Sequence, residues 1–251
     1  MANPPIPSWY ENTNSKANEV TSIVSFGQID ADTVSPNRTF FFWNNYGGLQ
    51  DVATMEDVTF TVRDRNGGLG DTVGQVMEFV RDNWTEVRCD SLSESAFKAV
   101  GKGGSGTSNP SGVHPLGTTG STKNVNFDTA SAWTATAPLS LDAYVKPTID
   151  NGFIYKVVTA GTTGATEPSW LATEGLLTED DSVTFQAIPI DKTPEANQIL
   201  GLANNTLPDG SNASDAAGNF VELTTRINAP LSASSGRQAG SYRVNTCSLI
   251  Q

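Results

Sequence analysis

The sequence predicts an all-β protein, and three observations support this prediction. Hydrophobic residues make up 37% and charged residues 17% of the 251-residue chain, both below the averages of globular proteins. Gly, Ser, Thr and Asn fill the difference, a composition that suits short strands joined by many turns. β-branched and aromatic residues recur in regular runs, so full disorder would leave too much apolar surface unburied. The length allows one large domain or two modest ones.

Residues 1–18 are predicted to form an extended N-terminal docking arm. Prolines within the segment "NPPIP" disfavour a helix and the interior of a sheet. Trp9 and Tyr10 nevertheless give this segment a large apolar surface. Two interpretations stay open: the rings cover the core of their own domain, or the arm docks on a neighbouring subunit.

Residues 19–100 are predicted to supply the first strands of a β-sandwich. The segments "VTSIVSFGQID" and "RTFFFWNN" are rich in β-branched and aromatic residues, as strands are. The segment "VTFTVRD" alternates, which places Val58, Phe60 and Val62 on one face.

Trp43 ends a run of three phenylalanines, so apolar side chains lie on both faces of one strand. An exposed apolar strand favours aggregation, and a partner that covers it would remove this risk. Two alternatives stay open: the protein itself covers both faces, or one face meets a partner. On the second alternative Trp43 is predicted to be an assembly contact, together with Trp9 and Tyr10.

Residues 219–251 return to the strand pattern, because "NFVELTTRINAP" and "GSYRVNTCSLI" both alternate. Two amphipathic strands cannot bury a core alone. The simplest solution pairs them with strands of residues 19–100 in one sandwich of about seven to nine strands. The middle of the chain is then an insertion, with a Gly/Ser/Thr-rich linker over 101–125, a small β module over 126–190 and a return linker over 191–218.

The segment "SFGQIDADTVSPNRTFFFWNN" resembles the first strands of immunoglobulin-like domains in phage and bacterial surface proteins. This resemblance implies an immunoglobulin-like β-sandwich, formed by the N- and C-terminal segments.

The stretch from Trp133 to Phe185 resembles the small modules, similar to chitin- and cellulose-binding domains, that recur in tail and virion proteins of tailed bacteriophages. Two short apolar strands flank the turn Asp150-Asn151-Gly152, as in a hairpin. The resemblance covers about a fifth of the chain and is carried by Trp133, Tyr144, Pro147, Asn151-Gly152, Tyr155, Thr159-Ala160-Gly161, Gly164, Glu167-Pro168, Trp170 and Val183-Thr184-Phe185.

The resemblance implies a phage virion structural protein, made in the bacterial cytoplasm and placed in a tail, baseplate or neck appendage. Its expected roles are assembly and adhesion to host-surface glycans. Its expected partners are other virion proteins, further copies of itself in a symmetric assembly, and surface glycans. A capsid decoration protein is the alternative location. A secreted polysaccharide hydrolase with a sugar-binding module is the alternative from another class.

Trp133, Tyr144 and Trp170 are the candidate carbohydrate-binding residues. The apolar C–H faces of sugar rings stack on flat aromatic side chains while their hydroxyl groups stay hydrated. Core packing is the rival interpretation, because a module of this size needs its few aromatic residues for a core. Tyr155 is assigned to the core from its alternating strand position.

Charge and hydropathy disfavour two kinds of partner. The net charge is −12 and lysines and arginines do not cluster, so nucleic-acid binding is not expected. The sequence shows no run of 18 apolar residues, so membrane insertion is not expected. It also shows no signal peptide, so the protein is expected to fold in the cytosol.

No catalytic, cofactor or metal site is predicted. His114 lies in a Gly/Ser/Thr-rich stretch and is expected to be an exposed loop residue. Acidic runs such as Glu179-Asp180-Asp181 are explained by solvation in turns. Cys89 and Cys247 are predicted to be free buried thiols, with a disulfide as the alternative if their strands pair.

Overall fold

The structure, a computed structural model, describes residues 3–102, 111–207, 215–236 and 238–247, and it is an all-β protein. Its helical elements include α1 (Glu78–Arg81) and short 3₁₀ turns. The strands are β1 (Pro7–Glu11), β2 (Thr33–Val34), β3 (Arg38–Asn44), β4 (Glu56–Asp64), β5 (Thr85–Cys89), β6 (Lys98–Val100), β7 (His114–Pro115), β8 (Thr122–Lys123), β9 (Ser131–Ala132), β10 (Pro138–Leu139), β11 (Tyr144–Lys146), β12 (Phe153–Thr159), β13 (Gly161–Thr162), β14 (Leu177–Asp180), β15 (Val183–Pro189), β16 (Asp191–Lys192), β17 (Phe220–Ala229) and β18 (Gly240–Cys247).

The chain divides into two compact units. Unit 1 comprises Met1–Ser121 and Thr193–Gln251, and unit 2 comprises Thr122–Lys192. Both ends of the chain therefore belong to unit 1, and unit 2 is inserted between them. Among the described residues, no helix has the length and apolar character that crossing a membrane requires.

Unit 1 is sandwich-like, with one six-stranded sheet and one three-stranded sheet. In the larger sheet the order is β1-β3-β17-β5-β6, and β2 also pairs with β17. In the smaller sheet β4 lies between β18 and β7. Strands from the end of the chain thus pair with strands from its beginning, which confirms the predicted shared core. The immunoglobulin-type topology stays a prediction.

The core of unit 1 follows the period-two pattern of the sequence. On β4, Val58, Phe60 and Val62 are fully buried. On β17 the alternate residues face inward, and Leu223 lies opposite Phe40 of β3. Because successive side chains of a strand point to opposite faces, the alternation in each segment indicated its buried face correctly.

Within the predicted N-terminal docking arm, residues Pro7–Glu11 are part of unit 1, in agreement with the interpretation that their rings cover the core of their own domain. They form β1, which pairs antiparallel with β3 from Pro7 opposite Asn44 to Glu11 opposite Phe40. Pro7 is the first residue of an edge strand, a position where the missing N–H costs little.

The predicted strand over residues 20–30 is wrong. This stretch has no strand assignment, yet Val20, Val24, Phe26 and Ile29 pack against the core of unit 1. Its β-branched and aromatic residues are therefore used for packing without a hydrogen-bonded ladder.

The two predicted linkers are partly wrong. His114–Pro115 forms β7 beside β4, and Leu116 is fully buried. Ile199 bridges to Met55 and is also fully buried. A few apolar residues are enough to hold polar segments against unit 1. Residues 103–110 and 208–214 of these segments lie outside the described residues.

The three predicted assembly contacts pack inside unit 1. Tyr10 and Trp43 are 0% exposed, and Trp43 stacks on Phe220 with ring centroids 4.6 Å apart. Trp9 is half-buried, and its ring centroid lies 4.8 Å from that of Phe42. The second apolar face of β3 is thus covered by the chain itself, near Ala216–Phe220, which agrees with the alternative that both faces are covered and not with the assembly contact.

Unit 2 contains a five-stranded sheet in the order β14-β15-β12-β11-β9, with two further two-stranded pairs, β10/β13 and β8/β16. The predicted hairpin forms, because β11 pairs antiparallel with β12 across the Asp150-Asn151-Gly152 turn. Gly152 has a φ of +83°, a conformation that glycine adopts without strain.

The five-stranded sheet packs side chains on both faces. We call the face that carries the larger cluster the inner face. Its fully or nearly fully buried residues are Val145, Tyr155, Val157, Val183, Phe185 and Ala187. The opposite face carries a smaller cluster, formed by Phe127, Ala130, Tyr144, Ile154, Ile188 and Ile190. Tyr155 is in the core, as predicted.

Candidate functional site

Trp170 lies over the inner face of the unit 2 sheet. Its ring is tilted against Tyr155 with centroids 4.1 Å apart and meets Phe185 edge-on at 5.1 Å. The side chain remains half-buried. Trp170 therefore closes one end of the core and keeps part of its surface accessible.

Glu167 holds Trp170 in this position. The indole N–H of Trp170 and the backbone N–H of Thr148 both donate to Oε1 of Glu167, each at 2.8 Å. Burial opposes the charge of Glu167, but the hydrogen bonds from Thr148 and Trp170 outweigh it and hold the pKa of the carboxyl below its usual value. An ionised carboxylate thus joins the hairpin segment to the Glu167-Pro168-Ser169-Trp170 segment.

Trp133 is held by a second carboxylate. Its indole N–H donates to Oδ2 of Asp180 at 2.8 Å, and Oδ1 of Asp180 accepts the backbone N–H of Gly164 at 2.9 Å. Trp133 packs against the same cluster as Trp170 and is likewise half-buried. Asp180 is only 6% exposed, so the prediction that turn solvation explains this residue is wrong.

The structure brings Trp133 and Trp170 to the same face of the sheet. Trp133 contacts Asp180 of β14, and the N–H of Leu171 donates to Oγ1 of Thr178 on the same strand. Positions two apart on a strand share a face and are about 7 Å apart. Both indoles pack against the cluster of the inner face, so they belong to the same side of the sheet.

Tyr144 lies on the opposite face from the two tryptophans. It is directly opposite Lys156 across β11 and β12, whereas Val145 and Tyr155 form the next pair and belong to the core of the inner face. Adjacent residues of a strand point to opposite faces, so Tyr144 cannot form one continuous surface with Trp133 and Trp170. The expectation of one site from all three aromatic residues is corrected on this point.

Sequence reasoning missed the roles of Glu167 and Asp180. Each accepts an indole N–H and a backbone N–H and so orients one tryptophan. For Glu167 the sequence held a signal, since a carboxylate stands three residues before a tryptophan with a proline between them. For Asp180 the partner is 47 residues away, so no local pattern could have indicated it.

In unit 1, His114 is buried and not an exposed loop residue as predicted. It is 6% exposed on β7, and its Nε2 lies 3.0 and 2.9 Å from the two carboxylate oxygens of Glu94. Glu94 also accepts the backbone N–H of Cys89.

Burial raises the pKa of the Cys89 thiol to about 11, so the thiol stays protonated at neutral pH and is a weak nucleophile.

The two cysteines are free, and only Cys89 is buried as predicted. Cys247 is exposed at the end of β18, so its predicted burial is wrong. Strand β18 pairs with β4, whereas Cys89 ends β5 in the other sheet of unit 1, so the strands of the two cysteines do not pair.

A polar cleft in unit 1 lies beside the loop that begins at the end of β4 and includes Asp64, Thr72 and Gln75. Oδ1 of Asp64 accepts the backbone N–H groups of Gly68 and Asn66, both at 2.8 Å. The hydrogen bond from Gly68 lowers the pKa of Asp64 most, and those from Asn66 and Gly70 lower it further. Together they outweigh burial, which raises the pKa, so the pKa of Asp64 lies below its usual value. The carboxylate therefore serves to order the loop.

Within the described ranges, no group of three or more His, Cys, Asp or Glu residues is arranged to hold a metal ion. No protein-family model, curated protein or solved structure matches this chain. The strongest candidate for a functional surface is therefore the pair Trp133 and Trp170, which its own geometry distinguishes from the other aromatic residues of the chain.

Proposed function

We propose that the protein is a non-catalytic structural component of a tailed-phage particle, in a tail, baseplate or neck appendage, and that unit 2 binds glycans through Trp170 and Trp133. The proposal of glycan binding rests on the pair of half-buried indoles, each of which donates its N–H to a carboxylate. The virion part is supported by the resemblance of residues 133–185 and by the insertion of a small β unit into a sandwich built from both chain ends.

The half-burial of the two tryptophans leaves them able to bind a ligand as well as to pack. Trp43 of unit 1 packs in a core and is 0% exposed, whereas Trp133 and Trp170 stay half-buried. An indole that served only a core would gain about 25 cal/mol for each further Å² of apolar surface removed from water. The incomplete burial leaves apolar ring surface that a sugar ring can cover.

The anchoring carboxylates make this surface rigid before a ligand arrives. Both indole N–H groups are already used, so the rings offer stacking surface and not a hydrogen-bond donor. A ring that is fixed in advance loses little conformational entropy on binding. Single stacking contacts are weak, but many copies in one particle would multiply them into strong attachment.

The glycan proposal is tested by titrating the purified full chain with chitohexaose and cellohexaose in a calorimeter. Trp170→Ala is expected to weaken binding about three- to tenfold, since aromatic stacking contributes on the order of 0.5–1.5 kcal/mol. Trp9→Ala is the matched control, because it removes another half-buried tryptophan, which lies in unit 1 and outside the proposed glycan surface. Equal losses in both variants, or no binding by the wild-type chain to any neutral glycan on an array, would overturn the proposal.

The virion proposal is tested by immunogold labelling of purified particles from a phage that encodes this chain. Label at the tail, baseplate or neck supports the proposed location, and label over the capsid shell indicates a decoration protein instead. Particles without label, combined with release of reducing ends from polysaccharide by the purified chain, would indicate a hydrolase and overturn the proposal.

A further inference from the structure

Phe127 of unit 2 has two lysine side chains against its ring. Nζ of Lys146 lies 4.2 Å from the ring centroid, and Nζ of Lys123 lies 4.4 Å from it. The negative face of an aromatic ring attracts an ammonium group, so the ring of Phe127 stabilises both charges. The arrangement concentrates positive charge around one aromatic residue.

The charges of this pair are only partly neutralised. Lys123 forms an ion pair with Asp128 at 3.6 Å, a carboxylate that is 69% exposed, and it lies opposite the exposed Asp191 across β8 and β16. Lys146 forms no ion pair with any residue that the structure describes. Exposed ion pairs are weak and readily exchange partners, so an incoming anion can replace Asp128.

Tyr144 is the next side chain on the same face. It is two residues before Lys146 on β11, and it packs with Phe127 on the smaller cluster of the sheet. Across the strands it faces Lys156, whose Nζ lies 2.7 Å from Asp142, a carboxylate that is 67% exposed. Three of the four lysines in residues 122–192 therefore surround two aromatic rings, in a chain whose net charge is −12.

We propose that this group, formed by Lys123, Phe127, Tyr144 and Lys146 and here called the lysine–aromatic face, binds a saccharide that carries a carboxylate or phosphate group. The lysine ammonium groups of Lys123 and Lys146 supply the charge that attracts the anion, and a sugar ring packs against Tyr144. Charge complementarity supports this ligand class, because positive charge is concentrated here while the rest of the chain is acidic. The inference rests on the proposed function only in that the ligand is a saccharide, since it uses the opposite face of the sheet.

The test is calorimetric titration of the full chain with three probes: an α-1,4-linked galacturonate hexamer, the neutral galactose hexamer with the same linkage, and a glycerol-phosphate oligomer. We expect the wild-type chain to bind at least one anionic probe more tightly than the neutral one. Raising the salt concentration from about 0.05 M to about 0.3 M should weaken this binding, because salt screens exposed charges. The anionic probe that binds more tightly identifies whether the recognised charge is a carboxylate or a phosphate.

The double variant Lys123→Gln with Lys146→Gln should weaken binding of the anionic probe about tenfold or more, because charge-assisted hydrogen bonds are among the strong ones. Lys192→Gln is the control: it removes one positive charge elsewhere in unit 2, where Lys192 pairs with Glu174 at 3.1 Å. The control should change binding less than about threefold. Circular dichroism and the midpoint of thermal unfolding check that each variant is folded.

Three results would overturn the inference: equal affinity for charged and neutral probes, unchanged binding of the double variant, or an equal loss in Lys192→Gln. Lysine-dependent binding to phosphatidylserine vesicles without binding to any soluble oligosaccharide would also overturn it, since the ligand would then be a lipid surface. Loss of neutral-glycan binding in Trp170→Ala is a separate readout, so failure of the proposed function and failure of this inference are distinguishable.

Discussion

The indole nitrogen of Trp170 lies 2.8 Å from Oε1 of Glu167, three residues earlier in the chain. The same oxygen accepts the backbone N–H of Thr148, in the segment between β11 and β12. Because Trp170 covers Tyr155, this carboxylate controls both the orientation of a half-buried ring and the closure of a core. Loss of Glu167 should therefore affect stability and ligand binding together.

Glu167→Ala should lower the free energy of unfolding by about 1–3 kcal/mol, because it leaves two N–H donors without their acceptor. Glu167→Gln keeps an oxygen at the same position and should cost less. Urea denaturation followed by tryptophan fluorescence measures both variants. If alanine and glutamine have the same effect, the hydrogen bonds to this oxygen do not hold Trp170 in place.

Trp43→Ala should lower the free energy of unfolding by about 3–5 kcal/mol, as large-to-small changes of buried aromatic residues do. The side chain is 0% exposed and stacks on Phe220. Trp9→Ala should cost less because Trp9 is only half-buried. Thermal unfolding compares the two. A fully stable Trp43→Ala chain that fails only in assembly would restore the interpretation of Trp43 as a contact with a partner.

The stability of the loop after β4 should depend on pH through Asp64. Backbone N–H groups, first that of Gly68, hold the pKa of this carboxyl below the ordinary aspartate value of 3.8. A lowered pKa means that the ionised form stabilises the folded state at pH values above 3.8, and that this contribution is lost as the pH falls through the folded-state pKa.

Asp64→Asn removes this titration while keeping one oxygen acceptor. The variant should be less stable than the wild-type chain at pH 7, and the difference should shrink as the pH approaches about 2. Urea midpoints at several pH values measure this convergence. A difference that stays constant across the range would show that the charge of Asp64 does not stabilise the loop.

The two thiols should react at very different rates. Cys247 is exposed, whereas Cys89 is buried, its Sγ donates to the carbonyl oxygen of Gly117 at 3.3 Å, and its pKa is raised to about 11 by burial. At about pH 8 a thiol reagent should modify one cysteine in the folded chain and both in urea, because the thiolate is the reactive form. Mass spectrometry of the labelled peptides identifies which cysteine reacted.

Cys247→Ser is the control for this experiment. The folded variant should take up no label over the time in which the wild-type chain takes up one. Rapid labelling of Cys89 in the folded variant would mean that the core around β5 opens readily in solution.

Several features of the fold could be predicted from the sequence because they depend on neighbouring residues. Alternation along β4 and β17 indicated their buried faces, and the Asp150-Asn151-Gly152 turn indicated the hairpin of unit 2. The sharing of one core by both chain ends could be inferred because two amphipathic strands cannot bury a core alone.

Other features could not be predicted, because they depend on contacts between distant parts of the chain. Residues 20–30 have the composition of a strand but find no pairing partner. His114 lies in a polar stretch, yet the carboxylate of Glu94 stabilises it in a buried position. Composition describes the residues of a segment, and burial depends on what the rest of the chain places beside them.

The amino-acid sequence by itself determined the all-β class, the alternating faces of the main strands and the position of the inserted β unit, since these depend on local periodicity and turn chemistry. Only the tertiary structure decided which aromatic rings are covered. It placed Trp43 beneath the chain's own later segment, it tied Trp133 and Trp170 to carboxylates, and it put Tyr144 on the other face. The physical reason is that exposure and hydrogen-bond satisfaction are properties of a packed neighbourhood, which long-range strand pairing creates.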